Sequence, residues 1–114
     1  MAITQLFAGL PVADYPAALV WYEGLLGRAP DFHPHDSEAV WQLADTGWVY
    51  VVADSDRAGN GLLTLLVDDL DQHVGELAQR GFATEIETLP GKVRRASIAD
   101  PDGNRITFGQ PLSG

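Results

Sequence analysis

Few residues of this chain are of a type and spacing that could do chemistry. His33 and His35, in "HPHDSE", would share one face of an extended segment, the arrangement from which a metal ion can be held. A metal site needs further convergent donors, and no third ligand accompanies this H-x-H, so a polar strand end or loop is expected. His73, the remaining histidine, falls off the apolar stripe of its segment and is expected in solvent. The acidic run "VDDLD" (Asp68, Asp69, Asp71) is accounted for by a helix N-terminus, where the dipole favours carboxylates. The absence of cysteine excludes disulfides, thiolate metal sites and thiol nucleophiles. No Ser-His-Asp order, paired carboxylates or phosphate-cradling glycine loop is present, which leaves only scattered Asp and Glu as general bases.

The whole chain sets the frame for these residues. At 114 residues it is expected to form one domain, 1–114, with a core that needs no covalent staple. Hydrophobic residues make up 46% and charged residues 20%, an ordinary globular balance. The formal charge of −9 repels nucleic acid and anionic membranes and would draw in cationic small molecules. No apolar run approaches the ~18 residues of a membrane span, and "MAITQLFAGLPVADY" lacks a basic leader, so a soluble cytoplasmic protein is expected.

A weak internal repeat supplies the elements. "VADYPAALVWYEGLLG" (Val12 to Gly27) echoes "VDDLDQHVGELAQRG" (Val67 to Gly81). Each starts as a strand ending in Val, then gives an Asp suited to capping, an amphipathic run and a terminal Gly. Asp14 and Asp69 are the expected caps, with Gln72 placed for a capping-box return bond. The apolar stripes are Ala18, Tyr22 and Leu25 in the first helix and Leu70, Val74, Leu77 and Ala78 in the second. "ITQLFAGLPV", "DFHP", "EAVWQLAD" and "WVYVVAD" read as strands around the first helix, and "NGLLTLLV", "ATEIETL", "KVRRASIAD" and "RITFGQ" around the second. Each half is therefore β-α-β-β-β, over about 1–55 and about 56–114. The Asp-Gly turn in "DPDGN", matched by "ADTGW" about 55 residues earlier, is expected to set the register of the last hairpin.

The paired βαβββ pattern, the "WYEGLLG" helix end and the "DPDGNRI" hairpin resemble the vicinal oxygen chelate superfamily. That group includes glyoxalase I, extradiol dioxygenases, fosfomycin-modifying enzymes and the bacterial bleomycin-resistance proteins. The resemblance implies an α+β fold in which two paired βαβββ modules form a cupped mixed sheet with the helices outside. In metal-using members the ligands come from the first and last strands of each module. Carried over, those positions fall on Phe7 and Leu62, each seven residues before a capping Asp, and on Val51 and Thr107. None of the four can replace His or Glu around a divalent ion, so neither metal nor other cofactor is expected.

The same register implies what the cup holds instead. Phe7 brings Gly9 and Pro11 to the cup, while Leu6, Ala8 and Leu10 pack under the helices. Val49, Val51, Leu62, Thr64 and Thr107 share it, with Arg95, Ser97 and Arg105 at the rim. Trp41 is a candidate stacking surface, whereas Trp48 and Tyr50, which alternate with the valines, are expected beneath the helix or at a subunit contact. Trp21 and Tyr22 are expected in the core. A mainly apolar cup suits an aromatic or amphipathic organic ligand, a drug or metabolite, more readily a cationic one; an inward Arg95 or Arg105 would instead favour an anion. Sequestration by a homodimer that leaves no open sheet edge is the leading expectation, with no nucleic-acid or membrane partner. A metal-independent lyase or isomerase in the same cup, or an interaction module with a filled cavity, are the alternatives.

Overall fold

The computed structural model describes residues 2–91 and 93–111. The elements run β1 (Leu6–Val12), α1 (Tyr15–Leu26), β2 (Phe32–His35), β3 (Glu38–Ala44) and β4 (Gly47–Ala53) in the first half. The second half repeats them as β5 (Leu62–Leu66), α2 (Leu70–Gln79), β6 (Glu87–Leu89), β7 (Val93–Ala99) and β8 (Arg105–Pro111). They build two four-stranded sheets of matching order, β1-β4-β3-β2 and β5-β8-β7-β6. In each sheet the first strand pairs in parallel with the last and the other pairs are antiparallel. This is the α+β architecture of two βαβββ modules with outer helices that the sequence leads one to expect. No helix is long and apolar enough to cross a membrane.

The helix signals act as their chemistry dictates. Asp14 accepts from the Ala17 amide at 3.2 Å and Asp69 from the Gln72 amide at 3.0 Å, each satisfying a first-turn donor. Gly27 ends α1 in the left-handed region, with its amide on the Glu23 carbonyl at 2.9 Å. Ala18, Tyr22 and Leu25 are buried against the first sheet, as are Leu70 and Leu77 of α2 against the second. Val74 is half-buried and Ala78 exposed, so the second stripe is narrower than its sequence suggests.

The modules are joined through helices and turn. Arg80, at the end of α2, donates to the Gly24 and Leu25 carbonyls at 2.8 and 2.9 Å, and Phe82 packs edge-on to Trp21. Both helices thus lie on one side, and both sheets turn their other faces the opposite way, in a slab of 44 × 41 × 25 Å.

The "DPDGN" turn does more than set a hairpin. Asp100, buried, accepts from the amides of Asp102 and Asn104 at 2.9 Å while Gly103 takes a φ of 103°. Asn104, fully buried, reaches into the first module by donating to the Pro11 carbonyl at 2.7 Å, and it accepts from the Gly61 amide at 2.7 Å. The Tyr22 hydroxyl closes the network on Asp100 at 2.6 Å. Burial, reinforced by that carboxylate, pushes the Tyr22 phenol well above its ordinary range.

Candidate functional site

The face opposite the helices carries different chemistry in the two modules. In the first, the parallel pairing sets Phe7 beside Trp48 and Gly9 beside Tyr50. The Phe7 and Trp48 rings stack with centroids 5.5 Å apart, and Phe32 stands edge-on to Trp48 at 6.1 Å. Phe7 is 54% and Phe32 45% exposed, so this is an aromatic wall open to solvent. The Trp48 indole N–H donates to Gln5 at 2.7 Å, which holds the ring in place.

This arrangement corrects three expected site residues. Val49 and Val51 lie on the opposite side of β4, buried beneath α1 with Leu10 and Val12, and it is Trp48 and Tyr50 that face the cup. The cause is the turn. Ala44 pairs directly with Gly47 across a tight turn, whereas Ala99 pairs with Arg105 across the longer "DPDGN" segment. Gly47 is therefore a strand residue while Gly103 sits inside its turn, and matching the two glycines shifts the first half by one residue. In a strand one residue flips every side chain. Tyr50, not Val51, is the counterpart of Thr107. Trp41 is corrected on the same ground: paired with Val49, it faces the helix side, fully buried, with its indole N–H on the Arg28 carbonyl at 3.0 Å.

In the second module the candidates Leu62, Thr64, Arg95, Ser97, Arg105 and Thr107 lie on one face. Leu62 pairs with Arg105 and Thr64 with Thr107; across the antiparallel pair Ser97 meets Thr107 and Arg95 meets Gly109. The Ser97 and Thr107 hydroxyl oxygens are 2.9 Å apart. Arg95 is held by Glu87 at 3.0 Å. The segment from Ala83 to Glu87 walls off a concavity of about 950 Å³ over Arg95, Ser97, Arg105 and Thr107. Leu62 is 84% and Leu66 67% exposed on this side.

Two further expectations are revised. Leu6 is largely exposed and Ala8 exposed, because β1 is an edge strand and the helix covers only its far end, at Leu10 and Val12. His73 is half-buried and not freely exposed. Its ring lies 4.3 Å from that of Phe108, bordering an apolar groove of about 540 Å³ between the edges of β1 and β5. Burial there holds the imidazole below its ordinary pKa. His33 and His35 do sit at an exposed strand, where His35 pairs with Glu38 at 3.0 Å and His33 lies within 3.4 Å of the Tyr15 hydroxyl.

The metal chemistry of the resembling superfamily does not fit these residues. Phe7, Leu62 and Thr107 occupy the cup face at the ligand positions, with Tyr50 as the fourth, and they offer no imidazole or carboxylate. Among the described residues no cluster of three or more His, Asp or Glu side chains could hold a metal ion. The missed residues are Trp48, Tyr50 and Phe32, which the pairing of β4 with β1 and of β2 with β3 brings to this face.

Comparisons with known proteins agree with this geometry. A glyoxalase/bleomycin resistance protein from Catenulispora acidiphila DSM 44928 is 43% identical, with a TM-score of 0.89 over 95% of this chain and 98% of that one. TnmS3, an antibiotic binding protein from Streptomyces sp. CB03234, is 26% identical, with a TM-score of 0.74 over 98% and 99%. The bleomycin-binding protein of Streptomyces verticillus, solved with copper(II)-bleomycin, shares the fold at 21% identity and a TM-score of 0.75 over 95% and 96%. No curated protein matches the sequence. The family model matches residues 4–108, and the chain belongs to the glyoxalase/bleomycin resistance protein/dioxygenase superfamily.

Proposed function

We propose that the protein is a metal-free binding protein that sequesters an aromatic or amphipathic organic molecule, a drug or metabolite, in a cup shared by two copies of the chain. The observation that carries this reading is the open aromatic wall of Phe7, Trp48 and Phe32, which is of the kind that stacks on flat ligands. Burial of such surface is worth roughly 25 cal/mol per Å². The similarity to an antibiotic binding protein supports it.

The slab shape supports a dimer. Both modules turn apolar side chains outward on one side, Phe7 and Phe32 in one and Leu62 and Leu66 in the other. A two-fold axis between two such faces sets the aromatic wall of one copy over the hydroxyl–arginine wall of the other, giving two equivalent cups. Sequestration needs affinity and not turnover, so ligand positions without metal donors are no handicap.

The experiment is a titration of the protein's tryptophan fluorescence with a panel of drugs that carry flat aromatic groups, bleomycin included, run beside light scattering. Saturable binding at one ligand per cup, a dimer mass and recovery of unchanged ligand by mass spectrometry are expected. A chemically altered ligand would replace sequestration with catalysis. A monomer at micromolar concentration would remove the shared cup.

A further inference from the structure

We infer that the concave face of the second module recognises an acidic group, so that the ligand of the cup is an aromatic acid and not a cation. This rests on the cup being a ligand site. The argument is a count of hydrogen-bond donors and acceptors in the concavity bounded by Ala83–Glu87. Arg105 and Thr107 are two positions apart on one face of β8, and Ser97 lies directly across from Thr107. One of the two hydroxyls donates to the other at 2.9 Å, which leaves the second O–H free to donate outward. Thr84 also borders this concavity, but its hydroxyl is buried away from the surface and adds no donor to it. Arg105 is exposed and, among the described residues, makes no ion pair, whereas Arg95 at the far end is already neutralised by Glu87.

Arg105 and the free hydroxyl thus offer a guanidinium fork and a hydroxyl donor side by side. A carboxylate, with two oxygens and about four lone-pair sites, is the acceptor group that uses them together, and Arg–carboxylate pairs form two parallel bonds. An ammonium group would bring more donors to a donor-rich wall. Its one available counter-charge is Glu85, which lies on the exposed wall segment and not on the sheet floor. The overall charge of −9 opposes an anion only from a distance and is screened beyond about 10 Å at 0.1 M salt, while the Arg105 contact acts at hydrogen-bond range. Local geometry outweighs net charge here.

The test compares three probes of one shape, 2-naphthoate, 2-naphthamide and 2-(aminomethyl)naphthalene, by calorimetry on the intact protein. The naphthoate is expected to bind about ten-fold tighter than the amide, a difference of about 1.4 kcal/mol. Arg105→Met should erase that preference, weakening the naphthoate about ten-fold more than the amide. Arg105→Lys should keep part of it, and Glu85→Gln should strengthen naphthoate binding. Equal or tighter binding of the ammonium probe, or a preference that survives Arg105→Met, overturns the acid assignment and leaves the aromatic cup standing. Failure of all three probes to bind overturns both.

Discussion

The ring of Tyr50 lies over Gly9, so closely that a methyl group at Gly9 would come within 2.4 Å of the ring carbon Cζ. The contact spans the parallel β1–β4 pair and fixes which way the tyrosine of the cup face points. Because the atoms in conflict are at the far end of a side chain, Gly9→Ala should cost stability little, under about 1 kcal/mol, and displace Tyr50 instead. Chemical denaturation should show a nearly unchanged midpoint, while affinity for an aromatic ligand falls several-fold. A large loss of stability with intact binding would mean that the ring cannot move.

The tryptophans separate site from core. Trp48 is on the aromatic wall and Trp41 is fully buried on the helix side. Trp48→Ala should weaken binding of planar ligands by about ten-fold, since a stacked aromatic pair contributes about 0.5–1.5 kcal/mol beyond its buried area. Trp41→Ala should instead destabilise the fold by about 3–5 kcal/mol. Titration and urea unfolding of both variants distinguish the two effects.

Tyr22→Phe removes the 2.6 Å bond to Asp100 and leaves a buried carboxylate with one donor fewer. A hydrogen bond to a charged group is worth about 1.5–3 kcal/mol, and a loss in that range is expected. Since Asp100 also organises the turn that holds the two modules together, hydrogen exchange at Asp102 and Asn104 should quicken as well.

His73 should give the fold an acid sensitivity of its own. Burial lowers its pKa most; Glu76 opposes that shift and Arg80 adds to it. The folded pKa is below the unfolded one, so the unfolded chain binds the proton first. The stability contributed by neutral His73 is complete above about pH 6.5 and declines as the pH falls from there toward the folded value. Urea denaturation between pH 7.5 and 5.5 should show the parent losing stability faster than His73→Leu. Parallel pH curves would place the imidazole in solvent.

Much of the fold is written locally. Asp14 and Asp69 cap because a short carboxylate reaches the amides of its own first turn, and Gly27 stops α1 because it accepts a positive φ. The face taken by Arg95, Ser97, Arg105 and Thr107 was legible too, since alternation along a strand needs only one fixed register. What the sequence could not decide was anything that depended on a turn's length in space. The tight turn at Ala44–Gly47 and the longer one before Arg105 each contain an Asp followed closely by a Gly, yet they place the following strand one residue apart. That single residue moved Val49 and Val51 into the core and Trp48 and Tyr50 onto the cup, and β3 pairing took Trp41 to the helix side with them. Tertiary packing alone settled the outcome, because only the pairing of β1 with β4 brings Tyr50 over a residue with no side chain, and Gly9 leaves the space that the ring fills.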